Sequence, residues 1–127
     1  VKKTILSLFI LLLFAAPSYA ASKYINAAAS CTEAACDGTT WEKAWKTFTD
    51  ATFARGNTVY VAGGTYDGLI IYTSGGGTEY ARIKKANAAD NGGDAGWNAS
   101  FASNLVDLGA IAIDNSYVSI DGVTGSG

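Results

Sequence analysis

The stretch from Asp37 to Tyr66 constrains this chain most: Asp37-Gly38-Thr39-Thr40-Trp41, then an apolar three-and-four spacing, then Gly56-Asn57-Thr58-Val59-Tyr60-Val61-Ala62-Gly63-Gly64-Thr65-Tyr66. Trp41, Ala44, Trp45, Phe48, Ala51 and Thr52 recur as on one face of a helix, which predicts a helix from about Trp41 to Ala54. Thr39 and Glu42 have the spacing of a capping box, and Gly56 is placed to end the helix in a left-handed conformation. Thr58 to Ala62 is β-branched and aromatic, bounded by Gly63-Gly64, and predicts a buried strand. Two indoles on a helix suit a sugar-stacking platform, but their stripe includes Phe48 and avoids Lys43, Lys46 and Asp50, which favours burial.

The N-terminus sets the expected compartment. Lys2 and Lys3 precede an apolar run from Leu8 to Ala16, then Pro17 and the small-residue stretch Ser18-Tyr19-Ala20, the pattern of a secretory signal peptide over residues 1–20. The run is shorter than the roughly 20 apolar residues a bilayer-spanning helix needs. The expected product is a secreted, soluble chain starting near Ala21, extracellular or at the cell surface. Without the two leader lysines it carries 7 basic against 11 acidic side chains, a net of −4. No basic cluster large enough for nucleic acid is present, and the absence of histidine removes the commonest general base and metal ligand. Cys31 and Cys36 lie in one Ala-rich segment, and export favours a local disulfide between them over two free thiols. A metal site on these thiols would need two further soft ligands, so neither metal nor cofactor is expected.

Downstream the chain makes short strand and turn units. Tyr24 to Ala28 reads as a first strand; Leu69 to Tyr72, Ala81 to Ala86, Ile111 to Ile113 and Tyr117 to Ile120 read as later ones, with a Gly75-Gly76-Gly77 turn and no helical crossover after Gly56. An antiparallel sandwich would give a similar list. The run from Ile111 to Val123 alternates strand and tight polar corner, with Asn115 and Gly122 suited to left-handed positions, and this winds a solenoid, in which each circuit is buried only by its neighbours.

Asp37 to Trp41, the predicted helix, Gly56 to Tyr66 and Ser116 to Gly122 resemble the N-terminal cap and first coils of secreted right-handed parallel β-helix proteins of the pectate-lyase-like superfamily. The resemblance covers nearly all of the mature chain; Asn57 stands where an Asp is common. It implies a mainly β fold, a right-handed parallel β-helix (N-terminal fragment) with one capping α-helix: residues 21–57 are the capping strand, loop and helix, and residues 58–127 the first coils, incomplete at the C-terminus. It also implies a function as the structural cap of a protein acting on extracellular polysaccharide, a lyase or glycoside hydrolase whose catalytic residues lie on later coils. None can be carried over to this chain, which is expected to be inactive alone and to fold poorly. The alternative is a non-catalytic extracellular β-helix of glycan-binding or adhesin type.

The remaining candidates are weaker. Arg82 and Lys84 share a strand face and suit contact with a uronic-acid polymer or a β-elimination base; a solvated outer face, with Lys85 adjacent, is the preferred reading. Asp90, Asp94, Asp107 and Asp114 are scattered and read as loop acids. Asp90-Asn91-Gly92-Gly93-Asp94 lacks the further ligands of a calcium loop, and Gly75-Gly76-Gly77-Thr78 lacks the lysine of a phosphate loop. Asn98-Ala99-Ser100 matches a glycosylation sequon. In the long connection from Ala88 to Asn104, Trp97 and Phe101 either tuck the loop against the coil, the preferred reading, or present a ring to a sugar.

Overall fold

The computed structural model describes residues 20–71, 73–74, 77–114 and 117–122. The leader, apart from Ala20, lies outside the described residues, as do Tyr72, Gly75-Gly76, the Asn115 corner and residues 123–127.

The protein is mainly β, with few and short helices. The strands are β1 (Ser22–Ile25), β2 (Phe53–Ala54), β3 (Thr58–Val61), β4 (Gly64–Thr65), β5 (Leu69–Ile71), β6 (Thr73–Ser74), β7 (Ala81–Lys85), β8 (Val106–Asp107), β9 (Ile111–Ile113) and β10 (Val118–Asp121). Among the described residues, a 3-10 turn at Glu33–Ala35 and two one-turn helices, α1 (Ala88–Asn91) and α2 (Ser100–Ser103), complete the list. Four strands form one sheet in the order β1-β3-β7-β10, while β2 pairs with β6, β4 with β8 and β5 with β9. Every one of these pairings among the described residues is parallel, which excludes the antiparallel sandwich. The chain visits β3, β4, β5 and β6, then repeats the visit with β7, β8 and β9 lying on β3, β4 and β5 before β10 returns to β7.

Register decides what each face buries. Val59 and Val61 alternate with Thr58 and Tyr60, and Ala81 and Ile83 with Arg82 and Lys84, so one face of the sheet is aliphatic. That face, with Ile25, Trp45, Phe48, Phe53, Tyr66 and Ile71, forms the main core. A second cluster lies on the opposite face, where Tyr24, Ala29, Trp41, Ala44, Ala62 and Ala86 are covered in part by Tyr60, Trp97 and Phe101.

The predicted helix over 41–54 does not form, and the capping box is not made. The Thr39 amide and hydroxyl both donate to Asp37 Oδ1, Thr40 Oγ1 accepts from the Lys43 amide, and Thr47 Oγ1 accepts from the Asp50 amide. These are local side-chain turns that compete with helical bonding. The segment's backbone instead serves β1: the Tyr24 amide donates to Gly38 O, the Trp45 amide to Tyr24 O, and the Asn26 amide to Trp45 O. One helical stripe cannot face two sides of a sheet, yet Trp45 and Phe48 enter the main core while Trp41 and Ala44 enter the second cluster. Gly38 takes φ +68°, and a Cβ there would lie 2.7 Å from the Trp45 ring, so the turn that brings the indole onto β1 requires glycine. Gly56 does adopt φ +84°, but in the turn between β2 and β3. The connection after β7 carries the one-turn helices α1 and α2.

Candidate functional site

The densest polar constellation sits on the outward face of the four-stranded sheet. In-register pairing sets Tyr24 of β1 beside Tyr60 of β3, Tyr60 beside Lys84 of β7, and Lys84 beside Asp121 of β10; one step along, Thr58, Arg82 and Ser119 form a parallel row. The connection that follows β7 folds back over this face. Asn87 Oδ1 accepts from the Asp90 amide and caps α1, and buried Asn91 accepts from the Asn87 amide while donating to Asp94 Oδ2 at 2.9 Å.

These bonds aim Asp90 at the sheet. Its Oδ2 receives Lys84 Nζ at 2.7 Å, Asn87 Nδ2 at 3.1 Å and, more distantly, the Tyr60 hydroxyl at 3.4 Å. The Lys84 hydrogen bond, with help from Asn87, holds the Asp90 carboxyl below its usual range. The same bond raises the Lys84 ammonium, against a smaller opposing effect of desolvation. Burial, then the neighbouring Asp94, pushes the Tyr24 phenol up to about 12; burial, then the Asp90 charge, raises Tyr60.

Chemically this is a set of matched charges. A lysine acting as the base of a β-elimination must be neutral, and Asp90 stabilises the opposite state, so Lys84 does not suit that role. Both phenols are held protonated. Arg82 is exposed and points outward beside this network, as the solvated-face reading expected. Lys85 behaves differently: its Nζ donates to Ala102 O and ties α2 to the sheet.

Trp97 and Phe101 tuck against the sheet side. The Trp41 ring lies 4.8 Å from Phe101, 5.8 Å from Trp97 and 4.7 Å from Tyr24. The Trp41 amide donates to Ala95 O, and Gly96, at φ +77°, approaches so closely that a Cβ would lie 2.8 Å from Glu42 Cγ. Asp90 and Asp94 are thus engaged with Lys84 and Asn91, while Asp107 Oδ1 accepts from the Gly109 amide. Among the described residues no group of three or more His, Cys, Asp or Glu side chains is arranged to hold a metal. Asn98 uses its side chain to accept from the Ser100 amide. Cys31 and Cys36 are joined in a disulfide with Cα atoms 5.6 Å apart. No catalytic residue emerges from the described residues.

Reading the sequence missed the part of Tyr24, Tyr60 and Asn91 in this network. The Asn87 to Asp90 capping spacing was legible, but its direction toward Lys84 depends on how the connection folds back. Comparisons of the chain with protein-family models, curated proteins and solved structures find no match to any of them.

Proposed function

We propose that this chain forms the closed N-terminal end of a secreted right-handed parallel β-helix of the pectate-lyase-like type, acting on extracellular polysaccharide as a lyase or glycoside hydrolase through circuits beyond those described. The observation that carries this reading is the repeated order of parallel pairing, in which β7, β8 and β9 lie on β3, β4 and β5. It is supported by the asymmetry of the ends: residues 38–45 cover the outer edge of β1, whereas the last circuit leaves large aliphatic side chains uncovered. The chain's own role is structural, sealing the core with Trp45 and Phe48.

A second reading, a non-catalytic glycan-binding or adhesin-type β-helix, draws support from the outward polar network, whose lysine, carboxylate and phenols are all held in their resting protonation states. The test is to express the complete reading frame containing this chain beside the chain alone, and assay both on polygalacturonate and on neutral glucans. Cleavage by the former only is expected. Turnover by the chain alone, or a reading frame that adds no further circuit, would overturn the proposal; tight binding without cleavage would favour the second reading.

A further inference from the structure

A groove of about 410 Å³ lies between residues 46–49, which lead from the edge of β1 toward β2, and residues 65–68, which lead from β4 into β5. None of its lining residues belongs to the last circuit, so it does not depend on what covers the open end. Both walls are held by local bonds. On one, Thr47 Oγ1 donates to Asp50 Oδ2 at 2.6 Å and accepts from the Asp50 amide, and the Ala51 amide donates to Phe48 O. On the other, the Tyr66 amide donates to Asp107 O and the Gly68 amide to Tyr66 O, with Gly68 at φ +86°. The buried rings of Phe48 and Tyr66, centroids 5.1 Å apart, add apolar lining, and the Tyr66 hydroxyl already donates to Ala62 O.

What the groove leaves open is a pair of opposite charges. Lys46, partly buried, and Asp67, exposed, both line it, yet neither they nor Thr49 make a hydrogen bond or an ion pair among the described residues. An ammonium that has given up part of its hydration and gained no partner favours an incoming anion. The carboxylate in the same groove makes that anion's company selective, because it disfavours any further negative charge and accepts from a cationic N–H. A purely anionic ligand thus meets Asp67 unfavourably and a purely cationic one meets Lys46 in the same way, whereas a molecule with one charge of each sign satisfies both. We infer that this groove binds a small zwitterion of the amino-acid class, its carboxylate at Lys46, its ammonium at Asp67 and its carbon chain along Phe48 and Tyr66. The site is additional to the polysaccharide role proposed above and does not rest on it.

The test titrates the full chain with glycine, β-alanine, γ-aminobutyrate and ε-aminocaproate, which step the distance between the two charges, and follows backbone amides by NMR. The tightest binder is then compared with its N-acetyl and amide derivatives, each lacking one charge, and with glucuronate as an anionic sugar. At least one amino acid of the series is expected to shift amides of residues 46–49 and 65–68 and to bind about tenfold or more tightly than either derivative. Lys46→Gln and Asp67→Asn should each remove that preference with the circular dichroism spectrum unchanged, and Lys46→Arg should retain it. An N-acetyl derivative that binds as tightly as its parent would leave only an anion site at Lys46 and overturn the inference. Tighter binding of glucuronate would overturn it in favour of a sugar acid, and no amide shift at millimolar concentration in any arm would remove the site altogether. The derivative comparison needs no variant, so it decides the matter even where a substitution disturbs the fold.

Discussion

Trp45 packs with Ile25, Phe48 and Val59 in the main core and carries the Lys23 ammonium 5.5 Å from its ring centroid. Truncation to Ala removes a buried aromatic next to residues that cannot collapse into the gap, because Gly38 and β1 hold their places through backbone bonds. A loss of about 3–5 kcal/mol is expected in denaturant unfolding. Trp41 differs, since its Nε1 is buried without a hydrogen-bond partner. Trp41→Phe deletes that donor, so it is expected to cost markedly less than Trp41→Ala in the same measurement. Tyr66, donating to Ala62 O inside the core, has its phenol pushed up to about 12 by burial. Its folded value lies above the unfolded value of 10.0, as does that of Tyr24, so their contribution is complete below pH 10 and is lost as pH rises toward 12. Tyrosinate absorbance in an alkaline titration should show these two phenols ionising together with unfolding.

At the scale of elements, the connection from Asn87 to Asn104 is held to the sheet by few bonds. The Lys84 to Asp90 pair is partly solvated, at 26 % and 33 % exposure, which limits it to roughly 0.2–1 kcal/mol. Asp90 is lowered below 3.8, so this contribution is present above about pH 4 and disappears as pH falls through the depressed value. Asp90→Asn should cost that small amount at pH 7 and nothing in strong acid, read from thermal midpoints at the two pH values. The disulfide likewise acts locally. Cys31 and Cys36 are 5 residues apart, and the chain-entropy estimate for so short a loop is about 2 kcal/mol. Reduction is therefore expected to lower the melting temperature modestly while leaving a cooperative transition, and loss of that transition would mean that the loop carries the fold.

On the scale of the whole molecule, the two ends of the four-stranded sheet are unequal. β3 and β7 each have a strand on both sides, β1 is covered by residues 38–45, and β10 ends the order. Hydrogen exchange should rank the strands accordingly, with β10 amides about tenfold or more faster than those of β3. Uniform protection would show that something else covers the end. The exposed aliphatics of that circuit also make association the expected failure of the isolated chain. Removing two exposed carboxylates of that circuit, by Asp107→Asn with Asp114→Asn, should increase the associated fraction in light scattering.

Much of the strand pattern was legible in the residues themselves. The strands at Thr58, Leu69 and Ile111 announce themselves by short β-branched or aliphatic runs, and those at Ala81 and Tyr117 by apolar residues alternating with polar ones, because a pleated, half-buried surface favours such patterns wherever it lies in space. Burial of Trp41, Trp45 and Phe48, and the tucking of Trp97 and Phe101, also follow from the apolar character of those side chains. The short strands β2, β4, β6 and β8 carry no such local signal; they exist because a neighbouring circuit offers hydrogen bonds. The helix expected over 41–54 was lost for the same reason. Its three-and-four spacing is genuine, but the edge of β1 needed partners for its backbone groups, and Gly38 and Trp45 supply them. The Asp90 to Lys84 contact likewise waits on the path of the connection. Residue type thus determined which segments are extended and which side chains are buried, and only long-range pairing decided which face each indole occupies.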